Sequence, residues 1–319
     1  MRRQIVEINA VAEKPLSDHL LTASEPWVAR GFINNWPLAA AGKQSGQAAL
    51  NYLESFYSGL AVKVILSESQ NMARFFYNED MSGFNFHAVE TTLSRLFGQM
   101  IKYEGVPNAP SFYLGSVDVS ELLPGFIVKN SLLTDLNNPT VSLWVGNQSR
   151  IAAHFDAPRN IACCVAGKRR FTLLPPEQAK NLYIGPWDLT PAGQPISLVD
   201  FHNPDYSIFP DFREAERNMW TVDLEVGDAL YIPSFWWHHV EGLSSINGLI
   251  NFWWHEADTT QLSLVNALKC ASQLMNALPR DQRRAVKDLF DTYAFGDNAE
   301  PVRLVGNDHQ RFTSNKEGR

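Results

Sequence analysis

Ala153-His154-Phe155-Asp156 is the stretch from which the rest of the chain can be read. The run into it is apolar and strand-like. In a strand, side chains at i and i+2 share a face, so His154 and Asp156 can grip one metal ion from the same side. A third ligand is offered by the aromatic run Tyr231-Ile232-Pro233-Ser234-Phe235-Trp236-Trp237-His238-His239-Val240. Two histidines and one carboxylate on one side of an ion form the facial triad of non-haem Fe(II) oxygenases, which leaves the remaining positions open. A lone His-x-Asp is most often a surface polar pair, and it is the second histidine cluster that gives this one its interest. His238 and His239 point to opposite faces, so only one can join the triad, and spacing does not choose between them.

Around this stretch the sequence is rich in short strands. Pro110 to Gly115, Val141 to Gly146, Asn160 to Val165, Arg170 to Leu174, Trp220 to Leu224, Ala229 to Pro233 and Gly248 to Trp254 all read as strands. Ala166-Gly167-Lys168 is a tight turn that makes a hairpin of the two strands beside it. Pro176 to Leu182 reads as a short helix with proline in its first turn. Residues 183–217 form a long insertion without strong periodicity, the kind of segment that often walls or covers a site.

The N-terminal part alternates short strands (Gln4 to Ile8, Trp27 to Phe32, Ala61 to Leu66, Arg74 to Tyr77) with helices at Ser17 to Leu21, Gln47 to Phe56 and Thr91 to Met100. The last of these carries Leu93, Leu96, Phe97 and Met100 on one face. Many short strands separated by turns indicate a barrel or sandwich. The tail changes character. From Asp258, a candidate N-cap, Leu264, Leu268, Ala271, Met275 and Leu278 recur at helical spacing, and a second helix runs from about Arg280 to Tyr293. These helices either cover the barrel or pair with their copies in a second subunit. From about Gly306 the chain is polar.

Composition narrows the function classes. With 319 residues, the chain can bury a core without disulfides. The odd count of three cysteines and the adjacent pair Cys163-Cys164 argue against a disulfide framework. A net charge of −7 gives no global pull toward phosphate backbones, so nucleic acid is disfavoured as a partner. Met1-Arg2-Arg3 has no apolar run behind it, so no signal peptide is expected; nor is a membrane span. The expected location is cytoplasmic. No glycine-rich phosphate loop or nucleophile elbow is visible.

Taken together, several of these runs carry a resemblance. They are His154-Phe155-Asp156, Gly167-Lys168-Arg169-Arg170-Phe171, Leu174-Pro175-Pro176, Gly227-Asp228-Ala229-Leu230-Tyr231-Ile232-Pro233, Trp236-Trp237-His238-His239 and Asn251-Phe252-Trp253. In order and spacing they are similar to the JmjC/cupin-like 2-oxoglutarate oxygenases, a family that includes an asparaginyl hydroxylase. The resemblance covers roughly Phe112 to Trp254. It implies a mainly β fold with flanking helices, a double-stranded β-helix of the jelly-roll or cupin kind followed by C-terminal helices. It implies Fe(II) as cofactor and 2-oxoglutarate as cosubstrate. Residue by residue, His154, Asp156 and His238 match the metal ligands, so the family pattern selects the first of the two adjacent histidines. Asn160 and Asn251 match amides of the cosubstrate pocket, and Tyr113 matches a tyrosine that binds the far carboxylate. Where the family usually has a lysine, this chain has Arg169, with Lys168 the competing cation. A threonine that touches cosubstrate in the asparaginyl hydroxylase is replaced by Ile151.

The expected organisation is a catalytic domain over 1–257, with an N-terminal elaboration, and a helical segment over 258–319 that is a candidate homodimerisation element. The expected activity is hydroxylation of a C–H bond, of a protein or peptide residue, with O₂ and 2-oxoglutarate consumed. Trp253 and the 183–217 insertion are candidate substrate walls. Two alternatives stand beside it: a metal-dependent cupin dioxygenase or isomerase that does not use 2-oxoglutarate, and a 2-oxoglutarate hydroxylase of a tRNA base or small molecule. A binding protein without catalysis is a third, disfavoured by the intact triad.

Overall fold

The computed structural model describes residues 4–132, 136, 138–255 and 264–296. It has two compact units, Met1–Thr259 and Thr260–Arg319. The first is a sandwich of two sheets with helices on one side. Its strands in chain order are β1 (Val6–Ile8), β2 (Trp27–Ala29), β3 (Val62–Ser67), β4 (Arg74–Phe75), β5 (Phe86–Thr91), β6 (Ser111–Asp118) and β7 (Thr140–Gly146). Then follow β8 (Ser149–His154), β9 (Arg159–Ala166), β10 (Arg169–Leu174), β11 (Trp220–Leu224), β12 (Ala229–Ile232), β13 (Trp237–Gly242) and β14 (Asn247–Trp254). Nine strands form one sheet in the order β1-β2-β12-β9-β14-β7-β6-β3-β5, and five form the other in the order β11-β10-β13-β8-β4. From β7 to β10, and again from β11 to β14, sequential strands alternate between the sheets, the winding of a double-stranded β-helix.

Strand alternation divides the nine-stranded sheet between two cores. Leu143, Val145, Ile161, Cys163, Ile250 and Phe252 face one cluster, with Leu50, Leu53, Leu96, Phe97 and Met100 of the helices Gly46–Glu54 and Leu93–Lys102. Ala162, Cys164, Leu230, Ile232 and Leu249 face the other, with Phe171, Leu173, Val222 and Val240 of the five-stranded sheet. The adjacent cysteines therefore serve different cores as small apolar side chains. Burying each large side chain contributes about 1.5–3 kcal/mol.

Several elements differ from expectation at their ends. A helix over Pro37–Gln44, with proline in its first turn, and the strand Phe86–Thr91 were not anticipated. The strand at Trp27 stops at Ala29, because Gly31 turns the chain with φ 63° and its N–H is held by Asp228 Oδ1 at 2.9 Å. Asp228 also accepts Arg30 Nη1 at 2.7 Å, so the Gly227-Asp228 motif fastens β2 to the barrel. The helix at Leu93 starts after Thr92, whose hydroxyl caps the Arg95 N–H.

In the second unit the helices Leu264–Ala277 and Arg280–Tyr293 are present. Leu274 is 59% exposed, Leu289 55% and Phe290 41%. The candidate cap Asp258 and the polar tail lie outside the described residues. No helix among the described residues is long and apolar enough to cross a membrane.

Candidate metal and cosubstrate site

The metal-binding geometry depends on a bulge. Ile151 pairs with Val240 and His154 with His238, so three steps along β8 match two along β13. Ile151 packs against the inner core. Regular alternation from it would point Ala153 inward and His154 outward. The extra residue resets the parity and turns His154 inward, face to face with His238, with ring centroids 4.3 Å apart. Asp156 lies two residues past the end of β8 rather than within it, before Pro158. Its backbone is held there by the Phe235 N–H at 2.8 Å.

Ligand atoms of His154, Asp156 and His238 all lie within 4.8 Å of one another, the one such group of metal-ligating side chains among the described residues. His154 Nδ1 faces the Ala152 carbonyl at 2.9 Å and His238 Nδ1 the Trp236 carbonyl at 3.0 Å. In the tautomer that donates Nδ1–H to those carbonyls, each ring keeps its Nε2 lone pair for an ion. Burial, and then repulsion from His238, pushes the His154 pKa down to about 4, against the pull of Asp156. Burial alone would raise the Asp156 carboxyl, but the hydrogen bond and charge of His238, with that of His154, hold it below its usual value. His154 and Asp156 thus offer a neutral and an anionic donor near pH 7, and with the His238 imidazole they make a set suited to a divalent ion.

The basic trio at the β9–β10 turn resolves by alternation. Gly167, at φ 67°, makes the turn, and a Cβ there would sit 2.2 Å from the Ile246 carbonyl oxygen. Lys168 is 42% exposed and pairs with Asp223 and Glu225 at 3.5 and 3.6 Å. Arg170 grips Asp223 on the outer face at 2.7 and 3.0 Å. Arg169, only 2% exposed, points inward with no acidic partner among the described residues. Its Nη2 reaches the Trp144 carbonyl at 3.5 Å, its Nε has no hydrogen-bond partner, and Tyr113 lies against its charge. Burial pushes the Tyr113 hydroxyl up to about 12 in spite of that arginine, so it remains a proton donor.

The two asparagines meet. Asn251 Nδ2 donates to Asn160 Oδ1 at 2.7 Å, while Asn251 Oδ1 is buried without a partner. Trp253 stacks edge-on to Trp144 at 5.7 Å. His239 falls on the outer face, stacked on Phe201 at 4.9 Å, away from the ligand trio. A cavity of about 530 Å³ opens beside the β9–β10 turn, lined by Lys43, Lys168, Glu225 and Ser244, and contains none of the ligand trio.

Two side chains at the site are not among those the sequence singles out. Gln194, from the long insertion, donates its Nε2 to Asp156 Oδ1 at 3.1 Å, while Asp156 Oδ2 lies 3.4 Å from His238 Nε2. The insertion itself is anchored to β8, where the Ser197 N–H donates to the Ala153 carbonyl at 2.8 Å. Trp144 is the other. Only its place in β7 alternation, opposite to Leu143 and Val145, marks it as inward.

Residues 13–260 match the family described as the cupin-like domain. Among curated proteins the chain is 35% identical over 143 residues to HSPB1-associated protein 1 of Bos taurus, covering 42% of this chain and 28% of that protein. It is 32% identical over 109 residues to JmjC domain-containing protein D of Dictyostelium discoideum, covering 34% and 23% of the two chains. To tRNA wybutosine-synthesizing protein 5 of Danio rerio it is 32% identical over 108 residues, covering 34% and 28%. The matched part is between a fifth and a third of each relative's length.

Proposed function

The chain belongs to the cupin-like domain family, and from that premise we propose that it is an Fe(II)- and 2-oxoglutarate-dependent oxygenase that hydroxylates a C–H bond. Arg169 carries this reading. A buried guanidinium without an acidic partner is costly unless an anion joins it, and it lies in the same interior as the ligand trio. An iron–keto-diacid pair would bring the cation that suits the trio and the anion that suits the guanidinium. His154, Asp156 and His238 would hold the iron. Arg169 and Tyr113 would take the far carboxylate, and Asn160 and Asn251 the flank. When bound, the pair couples O₂ and decarboxylation of 2-oxoglutarate to succinate and CO₂ with insertion of one oxygen atom into the substrate C–H bond.

The chain's own part is positional. His154 and His238 are aimed by the carbonyls of Ala152 and Trp236. Gln194 holds one oxygen of Asp156, which leaves the other to face the ion. Trp144, Trp253 and the inner core keep bulk water from the interior.

For the substrate we favour a protein or peptide residue. The net charge of −7 gives no attraction to RNA, and one relative is named for association with another protein. A tRNA base, as the name of another relative suggests for that protein, is the competing class. The location we assign is cytoplasmic. The exposed apolar side chains of the last two helices support a homodimer formed through them, and light scattering of the intact chain against one ending near residue 257 tests it.

The test of the activity is succinate release by anaerobically iron-loaded protein given 2-oxoglutarate and O₂, beside Arg169→Ala. Succinate from the wild type alone supports the reading. Bound iron with no 2-oxoglutarate binding and no succinate would move the assignment to a cupin that does not use this cosubstrate.

A further inference from the structure

The bulge in β8 has two main-chain acceptors to satisfy. Ile151 pairs with Val240 and His154 with His238, so Ala152 and Ala153 together stand opposite His239. An extra residue in one strand of an antiparallel pair disrupts the ladder there, and a buried carbonyl left without a donor is costly. Both carbonyls have partners outside the ladder. That of Ala152 faces His154 Nδ1 at 2.9 Å and so aims a ligand ring. That of Ala153 accepts the Ser197 N–H at 2.8 Å. Strand β4 pairs with β8 only as far as Ile151, and past that point the donor comes from the insertion.

Ser197 is held firmly enough to act as a fixed donor. It is fully buried. Its hydroxyl donates to the Leu182 carbonyl at 2.6 Å and accepts the Val199 N–H at 3.2 Å. It pairs with Ile184, and the Gly185 N–H to Ile196 and the Leu198 N–H to Tyr183 extend that pairing on either side. Ile196 clusters with Ala152 and Tyr77, so the insertion meets the bulge through an apolar contact as well as a hydrogen bond. A peptide unit is planar. To hold the Ala153 oxygen is therefore to hold the nitrogen of His154 in the same plane.

We propose that Ser197 is a positioning residue for the metal site. Through the Ala153 carbonyl it fixes the peptide that leads into His154, and with it the imidazole beside Asp156 and His238. The insertion is then part of what shapes the first ligand, and the barrel strands do not shape it alone. The proposal rests on the metal-binding part of the reading above and makes no use of the cosubstrate. Gln194 lies three residues earlier and touches Asp156, so two separate routes lead from this segment to the metal.

Calorimetric titration with Co(II) separates them, using the whole chain as wild type, Ser197→Ala, Gln194→Leu and the double variant, with unfolding followed in parallel. Ser197→Ala deletes both hydroxyl hydrogen bonds that aim the N–H. It should weaken Co(II) binding by about tenfold, and by a similar factor again in the Gln194→Leu background. An unchanged affinity overturns the proposal, and so does a loss that vanishes once Gln194 is gone. Tyr183→Phe removes the hydroxyl that bonds Asp211 within the same insertion. It should lower stability and leave Co(II) affinity within about twofold, as for a site that does not touch the bulge. A loss there equal to that of Ser197→Ala would show that any loosening of the insertion suffices, and would overturn the specific role. Wild type that binds no Co(II) would overturn the metal reading itself, and the proposal with it. Amide exchange in the wild type does not depend on a variant folding well. Zn(II) should slow exchange of the Ser197 N–H more than that of the Gly185 N–H. Equal slowing, or none, contradicts the coupling.

Discussion

Arg169 and Arg170 are neighbours in the sequence, as are His238 and His239, and in each pair one side chain faces the space between the sheets while the other faces outward. On the outer face the side chains meet charged and aromatic groups of that same face. Arg170 holds Asp223 with two hydrogen bonds. His239 lies on Phe201 and 3.8 Å from Glu241, which His202 in turn approaches. Arg74 and Arg150 converge on Asp200. On the inner face Arg169 has no acid among the described residues, and the ligand atoms of His154, Asp156 and His238 lie within 4.8 Å of one another. Both faces use the same strands and the same residue types. The outer face pairs its charges within itself, whereas the inner face turns a guanidinium and a cluster of metal-ligating side chains toward one interior.

The contrast is open to attack in order of expected effect. His238→Ala should weaken Co(II) or Fe(II) binding by at least about a hundredfold in calorimetry. His239→Ala should leave it within about threefold but lower unfolding free energy by about 2 kcal/mol, through the lost ring packing. Equal metal loss in both variants would break the division. Arg169→Ala should weaken 2-oxoglutarate binding by about a hundredfold, because it removes a buried charge. Arg170→Ala should change only stability, by about 1 kcal/mol or less, as for other half-exposed ion pairs. Gln194→Leu should cost about tenfold in metal affinity, the usual effect of removing a hydrogen bond that steadies a ligand; an unchanged affinity would make the insertion a bystander.

A separate effect is one of pH. Burial drives the His239 pKa down to about 3, with repulsion from His202 and Arg150 adding to it. The unfolded chain, titrating near 6.5, binds the proton more readily there than the folded chain does. Its contribution to stability is therefore full above about pH 6.5 and is lost as pH falls from there toward 3, with a slope of at most about 1.4 kcal/mol per pH unit. Urea titrations at pH 7 and pH 5 should show this loss in the wild type and a shallower one in His239→Gln.

How much of this was visible in the chain itself follows from periodicity. The strands around His154, Phe171, Tyr231 and Trp253 could be read because their residues alternate and glycine or proline punctuates them. The sheet pairing that sends Leu143 and Trp144 to different cores follows from the same rule. The parity of His154 did not follow. A bulge leaves no mark in composition, and without it the histidine would face outward. Lys168 and Arg169 could not be separated until the turn at Gly167 fixed which of them began the strand. Gln194 lies 38 residues beyond Asp156, in a segment with no regular period, so only the folded insertion brings them together. The helix at Pro37 escaped notice because it is short and alanine-rich, with no clear apolar stripe.

One consequence of the β10 register concerns length. Arg169 and Leu173 are four residues apart on that strand, and Leu173 is the residue paired with His238. The two ends of the proposed pocket are therefore joined by about 13 Å of extended backbone at roughly 3.3 Å per residue. A hydrogen-bonded strand inside a sheet neither stretches nor contracts appreciably. The protein thus carries a fixed gauge, with its two jaws set by main chain rather than by adjustable side chains. Keto diacids of four or six carbons should meet it one carbon short or one carbon long, and discrimination among them is then a property of strand register as much as of any single contact.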